Sequence, residues 1–463
     1  LYPLPATALY LPPKYRYGSA SFSSGANMPS PVVIIGAGLA GCECALALAT
    51  RNIPVVLHEM KPESFSPAHT SADFAELVCS NSFRSNEPES AVGLLKEEMR
   101  ALGSLTMSVA EETRVPAGKA LAVDSERFAA AVTRRVMESP LVTVVRREVT
   151  SLDDPASLTP DGSTPRAVVV AAGPLASDAL SENLAAIAGG ESLYFYDALA
   201  PIILTDSVNM DIAFWGALYN PEDTDYLNCP MEKDEYLVFY EALLAGEKVA
   251  ARDFEREKHF EGCMPIEALA ERGPKTLTFG PFKPAGFTDP RTGRRPWALL
   301  QLCLENLNRS TVNMVGCQTK LTYAAQAEIF RMIPGLEKAE LARFGSMHRN
   351  TFVNAPKVLA PDLSLVNRPG LYLAGQITGV EGYVESAANG LWLGISLGAA
   401  LTGNSLPPPP ETTAMGSLLR HLPTPVKHFQ PSNVQYGLMP ELGQKSRKDS
   451  RQALYPARGR AAF

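Results

Sequence analysis

Two of the seven cysteines sit where a thiol can be put to work. Cys79 lies in Phe74–Arg84 (FAELVCSNSFR), flanked by Ser80, Asn81 and Ser82, with Arg84 close in sequence. Polar flanks and a cation favour the thiolate, the form that attacks carbon. Cys263 lies in Phe260–Glu267 (FEGCMPIE), a Gly-Cys turn stopped by Pro265, with Glu261 and Glu267 as candidate acid/base groups. Cys229, in Asn228–Pro230, is a third candidate. Taken singly, a cysteine is more often a buried small apolar residue than a nucleophile. Cys42, Cys44, Cys303 and Cys317 lie in apolar helix or strand texture and read as structural. There is no Cys-x-x-Cys pair, and Cys42 and Cys44 fall on different faces of an expected helix. Neither a disulfide framework nor a metal site is signalled, which fits free thiols in a reducing cytoplasm.

A second constellation is built for phosphate. Gly36, Gly38 and Gly41 form Gly-x-Gly-x-x-Gly directly after an apolar run, Val32–Ile35, and at the start of an expected helix, Leu39–Arg51. The first glycine permits a tight turn, the second lets backbone approach a pyrophosphate, and the third lets helix pack closely on strand. The helix N-terminus then offers unpaired N–H groups and a positive dipole end. Glu59 follows at the end of a second expected strand, Val55–Glu59, where a carboxylate can bind ribose hydroxyls. This is a dinucleotide site.

FAD rather than NAD is favoured by a distant second glycine segment, Leu371–Gly390 (LYLAGQITGVEGYVESAANG). A strand ends at Gly375, the chain turns through Gly379 and Gly382, and a helix follows with Ser386, Ala387, Ala388 and Gly390 in its first turns. Small residues there let a helix N-terminus face a flat ring with its amides exposed. A single-site NAD dehydrogenase needs no such return.

These residues must be held by an α/β layered scaffold. Val142–Val145 and Ala167–Ala172 read as further strands of a Rossmann-like parallel sheet with flanking helices. Between about Leu193 and Gly345 the texture changes to alternating glycine, proline and aromatics with charged helical stretches such as Glu232–Ala245. This suggests an inserted α+β substrate domain over 193–345, dividing the dinucleotide domain into 28–192 and 346–440. Residues 1–27 contain no acid and many prolines and serines, and read as a disordered extension or as sequence ahead of a start at Met28. The tail 441–463 carries Lys445, Arg447, Lys448, Arg451, Arg458 and Arg460 and reads as mobile.

Composition sets the outer bounds. With 463 residues, 46% of them apolar and 20% charged, the chain has room for two or three domains with large cores. The strongest apolar stretch, Pro31 to Ala49, is broken by glycines and Glu43, so no membrane span is expected. A net charge of −7 argues against a wholesale polyanion binder but leaves room for a local basic patch.

Taken together, the segments resemble one family, the folate- and FAD-dependent tRNA (uracil-5-)-methyltransferases. The resemblance runs from about Val32 to Leu438. It rests on IIGAGLAG, HEMKP, FAELVCSNSFRSN, AVGLLKEEMR, VPAGKALAVD, YFYDALAPII, YLNCPM, FEGCMPIE, GPFKPAGFTDPRTGRRP, MVGCQTKL, FRMIPGLE, FGSMHRNTFVNAPKVL and LAGQITGVEGYVESAANG. It fails over the first 27 residues and the last 20 or so, and the chain carries an insert around Asp153–Pro165.

The resemblance implies that 5,10-methylenetetrahydrofolate supplies one carbon, FAD supplies electrons, NAD(P)H reduces the flavin, and the target is the T-loop uridine in the T-arm of tRNA. It implies Cys79 and Cys263 as the functional thiols, one of which adds to uracil C6, without saying which. Gly36, Ala37, Gly38, Leu39, Ala40 and Gly41 carry over as the FAD phosphate loop, with Glu59 beside it. Gly375, Gln376, Thr378, Gly379 and Tyr383 carry over as the wall near the flavin. For RNA, two basic clusters stand out: Arg291, Arg294 and Arg295 in a Gly/Pro loop, and His348 with Arg349 before Asn350. Other readings stay open: the same chemistry on ribosomal RNA, a GidA-like wobble-uridine modification, an NAD(P)H-dependent flavin oxidoreductase of a small molecule, and a flavin-binding RNA chaperone.

Overall fold

The computed structural model describes residues 29–189, 193–216, 225–249, 264–427, 429–442 and 448–463. The extension expected over 1–27 lies outside them, as do Glu261 and Cys263.

The first sheet explains the apolar runs. Strands β1 (Val32–Ile35), β2 (Val55–Glu59) and β7 (Ala167–Val170) are buried along their whole length. Continuous rather than alternating burial is what a parallel strand covered on both faces requires. With β6 (Val142–Arg146), β16 (Ser364–Leu365) and β17 (Arg368–Leu373) they form a sheet of order β16-β17-β7-β1-β2-β6. All neighbours pair in parallel except β16 at the edge, and Val32 lies opposite both Val55 and Ala167.

Two helices bring the distant glycine segments together. The helix Leu39–Ala49 ends two residues before the expected Arg51 because the chain turns at Asn52, with φ of 59°. It packs against the long helix Tyr383–Leu401 at backbone distance. A Cβ at Gly390 would stand 2.2 Å from the Ala40 carbonyl oxygen, and one at Gly394 would stand 2.7 Å from the Ala47 Cβ. Glu43, which interrupts the apolar stretch, is buried and accepts from the Leu105 and Thr106 N–H groups and the Ser104 hydroxyl. It thereby caps the helix Leu105–Glu112 instead of facing lipid.

Two short strands, β8 (Leu193–Ala198) and β15 (Met347–Phe352), pair antiparallel where the chain leaves the first sheet and returns. Between them lies a second, antiparallel sheet of order β10-β11-β12-β13-β9-β14. Its strands are β9 (Ile202–Leu204), β10 (Phe214–Trp215), β11 (Tyr226–Met231), β12 (Ala298–Leu304), β13 (Thr311–Met314) and β14 (Leu341–Arg343). It has its own core, in which Tyr236, Phe239 and Leu243 of the helix Lys233–Ala245 pack with Leu227, Leu300 and Leu302.

A third small sheet, β3 (Ser82–Ser85), β5 (Ala120–Val123) and β4 (Arg114–Val115), joins the two bodies. Val115, Ala117 and Ala122 cluster with Cys303 of β12, and the Tyr226 hydroxyl donates to the Ala117 carbonyl at 3.1 Å.

The basic tail departs from the sequence expectation. Residues 448–462 form a helix packed on the helix Ala91–Ala101. Arg460 pairs with Glu97, Arg458 donates to the carbonyls of Pro440 and Glu441, and Tyr455 stacks on Tyr436 at 4.9 Å. Charge density suggested a solvated segment. Here two guanidinium groups instead complete the surface of a neighbouring helix. Among the described residues no helix is long and apolar enough to cross a membrane.

Candidate active site

The C-terminal ends of β1, β2 and β7 open onto a cavity of about 1090 Å³ of empty space continuous with solvent. In open α/β sheets this is where ligands bind. Gly36 makes the turn out of β1 with φ of +103°, and a Cβ there would stand 2.5 Å from the Ala171 carbonyl oxygen. Gly41 lies under the turn, where a Cβ would meet the Gly36 oxygen at 1.9 Å. Gly38 is different: a Cβ there would meet nothing within 4 Å. The first two glycines are needed by the fold, whereas Gly38 faces open space in front of a helix N-terminus, as a pyrophosphate requires.

Glu59 is 7% exposed and accepts from the Ala37 N–H and the Lys61 N–H, both at 3.0 Å. Each carboxylate oxygen keeps a lone pair for a ribose hydroxyl. The cavity is also lined by Ala37, Leu39 and Ala40 of the loop, Arg147–Val149 beyond β6, and Ala171–Ser177 beyond β7. The Glu59 carboxylate and the open cradle before the helix N-terminus fit a dinucleotide.

From the second glycine segment, Gly375, Gln376, Tyr383 and Ser386 reach the same cavity. Thr378 and Gly379 do not line it. The Thr378 hydroxyl donates to the Gly375 carbonyl at 2.7 Å, and a Cβ at Gly379 would stand 2.5 Å from the Phe429 ring. They shape the wall rather than face the ligand. Gly41 likewise serves packing.

Cys79 sits beside this wall. Its backbone N–H donates to the Tyr383 hydroxyl at 2.7 Å. Among the six described cysteines only Cys79 is not buried. Burial pushes the thiols of Cys44, Cys229 and Cys303 up to about 12, and raises those of Cys42 and Cys317 well above the ordinary range. Cys229, the third candidate, lies within β11 and is fully buried, so its role is packing. Arg84, expected near the thiol, forms an ion pair with the buried Glu385 of the long helix. Its guanidinium ties β3 to that helix. Glu267 accepts from the Thr319 hydroxyl and Lys320 N–H, and burial raises its carboxyl; it lies outside the cavity lining.

Three features escaped the sequence reading. The loop after β2 folds over the cavity: the buried Lys61 ammonium donates to the Asp73 carbonyl at 2.6 Å and pairs with Glu76 at 3.2 Å. Arg146 pins that loop through the carbonyls of Lys61 and Ala72, and its guanidinium lies 4.3 Å from the Phe74 ring centroid. Asn81, 2% exposed, donates from its amide to the Val123 and Leu304 carbonyls at 2.8 and 2.7 Å. Two residues from the thiol, it bridges both bodies of the molecule. Only the polar character of Ser80–Ser82 hinted at it.

The RNA-facing clusters are treated unequally. Arg291 is bound to the buried Asp289 through two side-chain hydrogen bonds of 3.1 and 2.7 Å, while Arg294 and Arg295 are exposed. The side chains of His348 and Arg349 lie outside the described residues.

Comparison with known proteins agrees with this architecture. Residues 31–405 match the family described as glucose inhibited division protein A. A methylenetetrahydrofolate–tRNA-(uracil-5-)-methyltransferase TrmFO of Oleidesulfovibrio alaskensis is 64% identical, over 93% of this chain and 95% of its own. One of Nitratidesulfovibrio vulgaris is 63% identical, over 93% of this chain and 88% of its own. Among solved structures, Aquifex aeolicus GidA (form II crystal) aligns with a TM-score of 0.65 at 18% identity, over 94% of this chain and 74% of its own. That last likeness shows the fold: a Rossmann-like α/β domain carrying an inserted domain. By the near-complete coverage at more than 60% identity, the chain belongs to the TrmFO family, related to GidA.

Proposed function

We propose that this chain transfers the one-carbon unit of 5,10-methylenetetrahydrofolate to C5 of a T-loop uridine in the T-arm of tRNA. In this reading FAD is held by the Gly36–Gly41 loop, Glu59 and the wall of Gly375, Gln376 and Tyr383, and NAD(P)H is the reductant. When bound, the flavin supplies the electrons that take the transferred carbon from the methylene to the methyl level. A tRNA substrate places the enzyme in the cytoplasm.

The protein's own part is nucleophilic. Uracil C5 is a poor nucleophile until a thiolate adds to C6 and makes an enolate, which is why such an enzyme needs an accessible sulfur. The observation that carries the reading is the position of Cys79. It is the one half-exposed thiol among the described cysteines, and it is hydrogen-bonded through its backbone to a tyrosine that lines the dinucleotide cavity. Cys263 is the second sulfur, contributed by the inserted domain; either one attacks C6 while the other assists. The Tyr383 hydroxyl holds the Cys79 loop at the thiol residue and the Asn81 amide holds it two residues on, and the loop after β2 lines the cavity beside Glu59.

The test is methyl incorporation into unmodified tRNA with labelled methylenetetrahydrofolate and NADPH. The expected result is label at uridine C5. Methylation that uses S-adenosylmethionine and ignores the folate would overturn the reading.

A further inference from the structure

The segment Gly273–Trp297 carries Lys275, Lys283, Arg291, Arg294 and Arg295 against one acid, Asp289, in a chain whose net charge is −7. We propose that Arg294, Arg295 and Lys283 form a grip for the phosphate backbone of an RNA arm, presented on a braced segment that β12 links to the Cys79 loop. This rests on the reading of the chain as a tRNA methyltransferase and says where the RNA is held.

The hairpin that presents the two arginines is braced from below. The Asp289 carboxylate accepts from the Arg291 backbone N–H at 2.9 Å as well as from its guanidinium. The Asp289 N–H donates to the Arg294 carbonyl at 2.9 Å, and the Gly293 N–H donates to the Asp289 carbonyl at 2.8 Å. Arg291 is thereby a structural strut, and the acidic Glu232 and Glu235 lie within electrostatic reach of it. Arg294, Arg295 and Lys283 are exposed, and among the described residues none of them is in an ion pair. With the hairpin backbone braced, only side-chain freedom is lost when the arginines bind, unlike cations on a loose tail.

Aromatic groups accompany them. Trp297, 40% exposed, has the Lys233 ammonium 5.4 Å from its ring centroid, and Phe279 is 79% exposed. The Leu299 N–H donates to the Phe282 carbonyl at 3.1 Å, which sets Lys283 alongside the start of β12. Exposed rings in the same short segment as unpaired cations are the combination that RNA-binding surfaces use for bases and phosphates.

Strand β12 links this face to the thiol. It begins at Ala298, just beyond the hairpin, and ends at Leu304, whose carbonyl accepts from Asn81. At about 3.3 Å per residue its seven residues span roughly 20 Å. A ligand touching both ends is far larger than a nucleotide. The partner is a folded RNA arm.

The experiment measures binding of unmodified tRNA to the FAD-loaded protein across a salt series, with flavin reduction by NAD(P)H as a control. For Arg294→Ala/Arg295→Ala the expectation is an affinity loss of about ten-fold or more at low salt. The slope of log affinity on log salt should shrink by about one to two, as loss of phosphate contacts predicts. Arg294→Lys/Arg295→Lys should keep most of the slope, and flavin reduction should match wild type in both. Unchanged tRNA affinity and slope in the alanine variant, with wild type binding tRNA normally, overturns the hairpin assignment alone. Wild-type protein with no salt-dependent tRNA affinity overturns the functional reading and the grip together.

Discussion

The backbone N–H of Cys79 donates to the phenolic oxygen of Tyr383 at 2.7 Å, and the next N–H, that of Ser80, points to the same oxygen at 3.4 Å. Residues 304 apart in sequence thus meet in one contact, which fastens the thiol loop to the wall of the dinucleotide cavity. Tyr383 also packs edge-on against Phe83, in β3 directly after that loop.

Removal of that hydroxyl should loosen the thiol without emptying the site. For Tyr383→Phe we expect FAD content near wild type and a kcat for methylation lower by about three- to ten-fold, the rate equivalent of one lost hydrogen bond of roughly 1 kcal/mol. Flavin absorbance and steady-state kinetics on the same preparation check it. Unchanged kcat would mean that the contact does not position the sulfur.

The glycines of the phosphate loop should separate folding from binding. Gly38→Val places its side chain in open space, so thermal stability of the flavin-free protein should change by no more than about 0.5 kcal/mol while FAD affinity falls by about ten-fold or more. Gly41→Ala, whose Cβ would stand 1.9 Å from the Gly36 oxygen, should instead lower the melting temperature or abolish soluble protein. Differential scanning calorimetry and flavin titration distinguish the two.

Asn81 should hold the two bodies in register. Asn81→Asp replaces a donor to two carbonyls with a carboxylate that repels them, so destabilisation of about 1–3 kcal/mol or more is expected. Asn81→Leu loses the same bonds without adding charge and should cost less. Chemical denaturation of both variants is the check.

Lys96 gives a pH signature. Burial pushes its ammonium down to about 7, with Arg84 and Arg100 adding to the shift, while it still donates to the Arg84 and Ser85 carbonyls at 3.1 and 2.7 Å. The folded state therefore binds fewer protons than the unfolded state between about 7 and the ordinary 10.5. Stability from this group rises with pH across that window and is lowest below it. Lys96→Met should flatten the slope of unfolding free energy between pH 7 and 10; an unchanged slope would show that the ammonium is not desolvated.

What the sequence made legible was local. The strands Val32–Ile35 and Val55–Glu59, with the glycines between them, could be read because continuous apolar runs and glycine spacing report on nearest neighbours. The meeting of Cys79 with Tyr383 and of Asn81 with Leu304 could not, since each contact joins segments more than 200 residues apart. Charge misled twice. Arg291 looks like its neighbours Arg294 and Arg295 but is bound by the buried Asp289, and the basic tail looks solvated but packs as a helix through Arg458 and Arg460. Cys229, also a candidate, turns out to be a buried residue of β11, which its immediate neighbours Asn228 and Pro230 do not reveal.

The most direct measurement pairs flavin content with methyl transfer in Cys79→Ala and Cys263→Ala proteins. The account predicts that both stay yellow, with FAD bound in wild-type amount, and that both lose methylation of tRNA from methylenetetrahydrofolate. Normal turnover in both variants, or a wild-type protein that takes up no flavin, would contradict it.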